Sequence, residues 1–437
     1  MLSYVLTTAW RLSPERLILV VGHGRDEVKK AVSTKVEIAV QAVPRGTADA
    51  VKSARERLKD FQGSVLIMYG DVPLIHHETL RQLIELYRKK KAKAAFLTAH
   101  FENPTGYGRV LRDKAGKLLK IVEEKDALPQ QKLIKEVNTG FYLFDKQVLD
   151  RFLDKVGNEN AAEEYYLTDL IEQLVNSAET VATLEAPDSR EVLGVNSRSE
   201  LAQVERLMRE RINSYWLEKG VTMIEPQLTF VGPRVKLSPD TVVYPMTFLY
   251  GETEIGEGCR LGPSTTLVNV KVGANSRLSY TVGEDCMVGE KVTVGPFARL
   301  RGGSKIMAEA RVGTFVEIKN SEVGKKSKVP HLSYIGDAII GQVVNVGAGT
   351  ITCNFDGFEK HPTFIEDEAF IGSDTMLVAP VKIGRGAVIG AGSTITKDVP
   401  PDALAVERSE QQTVEGWAKK RKSKGGRKVG RKANPHS

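Results

Sequence analysis

The stretch from Val282 to Ile318 reads VGEDCMVGEKVTVGPFARLRGGSKIMAEARVGTFVEI, and it decides the fold of half the chain. Val282, Val288, Val294, Leu300, Ile306, Val312 and Ile318 follow one another at a constant step of six. A second run, Ile365, Ile371, Leu377, Ile383, Ile389 and Ile395, repeats the step, and Ile255, Leu261 and Leu267 begin it upstream. Glycine often comes next, as at Gly256, Gly262, Gly289, Gly313, Gly372 and Gly390; the step shortens to five at Ile318–Val323 and Ile335–Ile340. Six is neither the 3.6 of a helix nor the plain alternation of a hairpin sheet. It is the period of a hexapeptide β-helix. Three short strands make one triangular coil, each turning a branched aliphatic toward the axis, with small residues where the backbone rounds a corner. Stacked coils then bury a continuous apolar column. Chance alternation in a β-sandwich does not hold one step through two unbroken runs.

Upstream, the pattern changes. In residues 1–195, Leu17-Ile18-Leu19-Val20-Val21 is a buried-strand run ending at Gly22-His23-Gly24, and a helical segment follows at Asp26–Val32. Val65-Leu66-Ile67-Met68-Tyr69 is another strand run, ending at Gly70-Asp71 before the helical spacing of His77–Lys91. This alternation predicts a parallel α/β sheet whose ligands bind beyond the carboxyl ends of the strands. Gly22-His23-Gly24 is weak evidence for a phosphate loop and reads first as a simple strand-to-helix turn. Asp71, at a strand end, either reaches into the crevice to hold a metal or caps the next turn. Between the halves, Ser197-x-x-Glu200 is a capping-box signal, and Leu201, Val204, Leu207, Met208, Ile212 and Trp216 recur at helical spacing until Gly220. The expected organisation is an α/β domain over 1–195, a linker helix over 196–220, a β-helix over 221–408 and a basic tail over 409–437.

The length of 437 residues suits two large domains, and no apolar stretch approaches the ~20 residues of a membrane span. The net charge of +7 invites a nucleic-acid reading, but Lys419 to Lys432 carries nine Lys or Arg and no acid. Without those nine, 53 basic residues face 55 acidic ones, so the body is slightly acidic. The tail lacks interleaved aromatics after Trp417, so it reads as a disordered, solvated segment rather than a base-stacking one. Cys259, Cys286 and Cys353 are widely spaced and odd in number, against a disulfide framework; a reducing cytoplasm fits, and the N-terminus lacks the basic region of a signal peptide.

Several motifs carry a closer resemblance. They are Tyr69-Gly70-Asp71-Val72-Pro73-Leu74, Pro104-Thr105-Gly106-Tyr107-Gly108-Arg109, Val137-Asn138-Thr139-Gly140, Pro296-Phe297-Ala298-Arg299-Leu300-Arg301, His331-Leu332-Ser333-Tyr334-Ile335-Gly336-Asp337 and Asn345 to Asn354. In content, order and spacing the chain resembles the bacterial bifunctional enzymes that combine N-acetylglucosamine-1-phosphate uridylyltransferase with glucosamine-1-phosphate acetyltransferase. The resemblance runs from about residue 15 to about residue 417. It implies an α/β nucleotidyltransferase domain of Rossmann-like type, then a left-handed parallel β-helix, usually trimeric. The product would be UDP-N-acetylglucosamine for cell-envelope polysaccharide.

For acetyl transfer the resemblance assigns His331 as general base, a role suited to an imidazole that must take a proton from an amine. It places Arg301 and Lys319 on the sugar phosphate and Tyr334, Asn345 and Lys360 on the sugar. Ala348, Asn354, Phe355, Ser373, Ala391 and Arg408 fall at acetyl-CoA positions. Phe355 replaces a family tyrosine, so a hydroxyl contact is lost there. For uridylyl transfer, the resemblance puts Mg²⁺ on Asp71 and Asn196. Gln41, Gly46 and Thr47 would face the uracil, and Tyr69, Gly70, Gly108, Glu123 and Asn138 the sugar.

One departure is large. The family opens with a first strand and a Gly-rich loop followed by lysine, which hold the triphosphate. Nothing in residues 1–20 matches them, and Leu2–Leu12 reads as the helix that should come after. That strand belongs in the middle of the sheet, so an interrupted sheet and poor uridylyl transfer are expected of the chain as written; a late start codon, with strand and loop encoded upstream, would restore the activity. The alternatives are an acetyltransferase with a vestigial first domain, a non-enzymatic scaffold, and a polyanion-binding protein acting through its tail.

Overall fold

In the computed structural model, which describes residues 1–22, 24–32 and 35–424, the chain divides into two units, Met1–Met208 and Arg209–Ser437. His23 and the tail beyond Lys424 lie outside the described residues.

Among its described residues the first unit has eight strands: β1 (Ile18–Val21), β2 (Glu37–Val40), β3 (Ser64–Ile67), β4 (Ala94–His100), β5 (Arg109–Arg112), β6 (Leu118–Val122), β7 (Glu136–Asp145) and β8 (Val181–Glu185). The sheet is in two pieces. β1 and β2 pair in parallel by themselves, and the other six form one sheet. The parallel sheet inferred from alternation is corrected here, because β7 is the hub and runs antiparallel to β3, β4 and β5; only β4–β8 is parallel within the six. The alternation was real over residues 17–91, but 109–145 contributes a hairpin and a long return strand instead. Alternate residues of β7 serve opposite faces. Tyr142 and Phe144 pack with Leu170, Ile171 and Leu174 of the helix Asp169–Asn176. Phe141 and Leu143 pack with Leu80 and Leu83 of the helix His77–Lys89.

The helix Arg198–Glu218 opens with the predicted box. The Glu200 carboxylate accepts the backbone N–H groups of Asn196 and Ser197, each at 2.7 Å, and the Glu200 N–H donates to Ser197 Oγ at 3.2 Å. Farther along, Ile212 and Trp216 pack against the apolar column of the second unit.

That unit is a parallel β-helix with faces of ten, nine and eleven strands. Most short strands turn one aliphatic inward, and the column from Met223 to Val399 is buried throughout. Many corners place a non-glycine residue in the left-handed region, such as Phe297, Phe315, Leu332 and Asp337 with φ between 50° and 60° or close to it.

One member of the opening run does not belong to the column. Val282 is 40% exposed. Its strand pairs Leu267 with Gly283 and Gly283 with Leu300, so Gly283 holds the inward position. A one-residue slip exchanges the faces of a strand, and here the preceding coil is one residue short for a step counted backward from Val288. The space left by the absent side chain is taken by Leu267, Val270 and Cys286, whose atoms would lie 3.0–3.6 Å from a Cβ at Gly283.

The tail also differs from expectation at its start. Trp417–Lys424 is a helix, with the Arg421 guanidinium 5.0 Å from the Trp417 ring. Ala, Lys and Arg favour helix, and no Gly or Pro interrupts those eight residues. All three cysteines are free thiols. Among the described residues, no helix is long and apolar enough to cross a membrane.

Candidate functional site

Two groups of candidate residues gather on opposite edges of the ten-stranded face. At one edge, His331, Ala348, Ser373 and Ala391 occupy equivalent places on four successive coils. Each directly precedes a corner residue of positive φ: Leu332, Gly349, Asp374 and Gly392. Thr314 pairs with His331 one coil earlier, the Ala348 carbonyl accepts the Asp374 N–H at 2.6 Å, and the Ser373 carbonyl accepts the Gly392 N–H at 2.8 Å. The Arg408 guanidinium donates to the Ala391 carbonyl and so ends the line.

At the other edge stand Arg301 and Lys319, on neighbouring rungs. Leu300 pairs with Ile318, and Lys319 with Gly336. Arg301 donates to Glu317 at 2.9 Å. The Tyr334 phenol lies across Gly336, where a Cβ would come within 2.5 Å of its hydroxyl. Asp337 rounds the corner and takes one amide on each oxygen: Asn320 Nδ2 at 2.7 Å and Asn354 Nδ2 at 2.5 Å. Burial would raise its pKa, but those two hydrogen bonds and the charges of Lys319 and Lys360 hold it below the usual carboxylate range. Lys360 has its own pKa lowered, first by Lys319, so the two ammonium groups stand close together. Crowded cations of this kind suit a dianion such as a sugar phosphate. A cleft of about 390 Å³ opens here, with Lys305, Asn320, Asp337, Lys360 and His361 on its walls.

Asn345 stays apart from both groups, on the eleven-stranded face between Lys328 and Phe370. Phe355 is exposed and bridges Lys360 across the loop. Sequence reasoning missed Asp337, although its place beside the motif's tyrosine and in front of Asn354 made it a candidate counter-ion for the lysines.

In the first unit, the candidates meet around Tyr69. Gln41 Nε2 donates to the Gly46 carbonyl at 3.1 Å and to Asp49 at 2.8 Å. Thr47 Oγ accepts the Leu167 N–H at 2.9 Å and also bonds the Tyr69 phenol. Gly140, with φ at 82°, lets the Tyr69 ring approach, since a Cβ would stand 2.5 Å from the ring. Gly108 does the same for Glu123, whose carboxylate lies 3.2 Å from that Cβ position. The Gly108 carbonyl accepts the Asn138 N–H at 2.8 Å. Burial, then the carboxylates of Asp169, Asp126 and Glu164, pushes Glu123 up despite a bond from Thr168. Burial likewise raises Tyr69, with Glu123 adding to it.

Tyr142 belongs to this group and was not foreseen. Its buried hydroxyl has no partner in good geometry, with Tyr69 and Asn138 alongside. The signal was available: Asn138, Gly140 and Tyr142 alternate along one strand and therefore share a face.

Asp71 and Asn196 are brought near each other where the Asp71 carbonyl accepts the Val195 N–H at 3.1 Å. Gly70 precedes them on the surface. Burial raises the Asp71 pKa, so its carboxylate lacks full solvation. One carboxylate and one amide offer hard oxygen donors that fit Mg²⁺, an ion that completes its octahedron with water and substrate phosphate. Among the described residues, no group of three or more His, Cys, Asp or Glu forms a denser metal cluster.

Comparison with known proteins agrees with this two-part layout. The nucleotidyl transferase family matches residues 3–221, and the bacterial transferase hexapeptide family (six repeats) matches residues 362–397, which assigns the second unit to the left-handed β-helices. The chain is 46% identical over 422 residues to the bifunctional protein GlmU of Desulfitobacterium hafniense (strain DSM 10664 / DCB-2), spanning 97% of this chain and 93% of that one. It is 45% identical over 421 residues to the bifunctional protein GlmU of Halalkalibacterium halodurans, over 96% and 92% of the two chains. With that of Carboxydothermus hydrogenoformans it shares 47% over 405 residues, 93% and 90% of the chains.

Proposed function

The chain belongs to the bifunctional GlmU family of transferases that make UDP-N-acetylglucosamine, and from that premise we propose how its own residues divide the work. The β-helix acetylates glucosamine 1-phosphate. Its two edges supply what the reaction needs: cations for a phosphate on one side, and a base at the head of a line of acetyl-CoA positions on the other. That alignment of His331 with Ala348, Ser373 and Ala391 on successive coils is the observation that carries the reading. Arg301, Lys319 and Lys360 bind the phosphorylated sugar, with Tyr334 between the edges and Asn345 on the adjoining face. Asn354, Phe355 and Arg408 complete the acetyl-CoA set.

The amine is largely protonated at neutral pH and attacks only as the free base. His331 takes a proton from the nitrogen as the N–C bond forms at the thioester carbonyl. The C–S bond then breaks, the electron pair leaves on sulfur, and the thiolate takes up a proton. General-base help of this kind is worth about 10²–10⁴-fold, so His331→Ala lowers kcat for acetyl transfer on that order. Thiol release measured with glucosamine 1-phosphate and acetyl-CoA tests it; a variant within about threefold of the parent removes His331 from the role.

The first unit joins UTP to N-acetylglucosamine 1-phosphate. Gln41, Gly46 and Thr47 face the uracil; Tyr69, Gly70, Gly108, Glu123 and Asn138 line the sugar side. Asp71 and Asn196 would hold Mg²⁺, which neutralises charge developing on the phosphate. Glu123, its pKa raised, is suited to donate or accept a hydrogen bond at a sugar hydroxyl. Pyrophosphate release from UTP and N-acetylglucosamine 1-phosphate, stopped by a chelator that leaves acetyl transfer untouched, is the test of this half in purified protein, and its rate tells how much the unmatched Gly-rich loop costs. Absence of release would favour the acetyltransferase-only alternative.

A homotrimer in the cytoplasm completes the proposal. The exposed ladder of Tyr280, Phe297, Phe315 and Leu332 supports it. Phe297 stacks on Phe315 at 5.4 Å and meets Tyr280 at a tilt at 5.2 Å, along the corner that also carries His331, an apolar surface suited to a neighbouring chain. Three free thiols suit a reducing compartment.

A further inference from the structure

The loop after Asn354 interrupts the six-residue step, and it is folded into a small hairpin. The Asn354 carbonyl accepts the His361 N–H at 2.8 Å, the Glu359 carbonyl accepts the Asp356 N–H at 3.2 Å, and Phe355 pairs with Lys360 as an antiparallel bridge. Two side chains close it. Asp356 Oδ1 accepts the N–H groups of Phe358 and Glu359, both at 2.8 Å, and Asp356 Oδ2 meets His361 Nε2 at 2.7 Å. We propose that Asp356 and His361 form a latch that positions Lys360 for the sugar phosphate at the acetyl-transfer site. This rests on the assignment of that site given above.

The reason for a latch lies in the charges. Lys360 is held beside Lys319, with Asp337 and Tyr334 drawing it there. Before substrate arrives, the two ammonium groups repel, and a slack loop would swing Lys360 out to water. Residue 360 lies between the two residues whose side chains meet, so closing the hairpin fixes its backbone on both sides. A single exposed ion pair does little. Here, however, one carboxylate gathers two backbone N–H groups and a ring N–H, and those bonds define the turn. They hold the Asp356 pKa down to about 2, so the acceptor is anionic at any neutral pH. The arrangement prepares the binding-competent loop in advance. Affinity falls in proportion when that fraction falls.

Asp356 and His361 are thus positioning residues, and steady-state acetyl transfer by the full chain separates this role from a general structural one. Asp356→Ala and His361→Ala raise KM for glucosamine 1-phosphate about tenfold, with kcat within about threefold. His361→Gln keeps an N–H donor and returns KM to within about twofold of the parent. Adding Asp356→Ala to Lys360→Ala makes KM no worse than Lys360→Ala alone, because both act through one ammonium group. Parental KM in Asp356→Ala and His361→Ala, beside a raised KM in Lys360→Ala, overturns the latch. So does an equal loss for both substrates with a lowered melting temperature. If Lys360→Ala itself has parental KM, it is the site assignment that fails.

Discussion

The β-helix and the α/β unit are held by opposite kinds of pairing. In the β-helix every strand between the two ends bonds to the coil before and the coil after, so Leu249 meets Leu267 and Leu267 meets Gly283. In the α/β unit β7 draws together β3, β4 and β5 from distant parts of the chain. The first arrangement repeats one local rule many times; the second satisfies many unlike demands once. A repeat therefore advertises itself in sequence, and a hub strand does not. The cost of breaking either should differ in the same way.

The largest effect is expected where the column is cut. Leu300→Ala removes a buried aliphatic touching only neighbouring coils, and should cost about 2–5 kcal/mol in urea unfolding followed by circular dichroism. A loss below about 0.5 kcal/mol would mean that the coils do not depend on their axis. Next comes a contrast between consecutive strands on two adjoining faces. Val288→Ala should cost about 1–3 kcal/mol, whereas Val282→Ala, on the same six-residue step but facing outward, should stay within about 0.5 kcal/mol. Equal costs would restore Val282 to the column.

A third test turns to the α/β unit. Burial, with Glu172 and Asp126 adding to it, raises Asp169 from 3.8 to about 6. The folded unit then binds that proton more tightly than the unfolded chain does. Its stability is fullest below about pH 4 and declines as pH rises to about 6. Asp169→Asn should remove the decline, gaining about 1 kcal/mol at pH 7–8 after allowance for solvent screening, and gaining nothing near pH 4. A gain that is the same at both pH values would point to packing instead of charge. The smallest effect concerns the tail: deleting Lys419–Ser437 should leave acetyl transfer within about twofold, since none of the residues assigned to either edge of the site lies in that basic run.

How much could be read in advance follows the same division. Spacing alone located the column and its strands, because an inward aliphatic every sixth residue has few other uses. It failed at Val282, where a shortened coil moved the inward place to Gly283 without breaking the visible step. In the α/β unit, local patterns gave segments but not partners, and the antiparallel pairing of β7 could not be read from alternation. The chemistry was least legible. His331 and Lys319 stand out only once stacking puts them on two edges of one face. Tyr142 and Asp337 had signals in strand alternation and motif position that segment-by-segment reading passed over, whereas Asp356 acts through contacts that no neighbouring residue announces.

The two ends of the stack are unlike. At its start the column is covered by Ile212 and Trp216. At its close, the strand Leu404–Ala405 bonds to a single neighbour, and Leu404 is 69% exposed. Coils that rest only on their neighbours fray from the less covered end. The last coils carry Ser373, Ala391 and Arg408; under the acetyl-CoA assignment proposed above, a bound donor would splint the end most apt to open. Resistance to limited proteolysis near Leu404, compared with and without acetyl-CoA, would then report how far the donor covers that end.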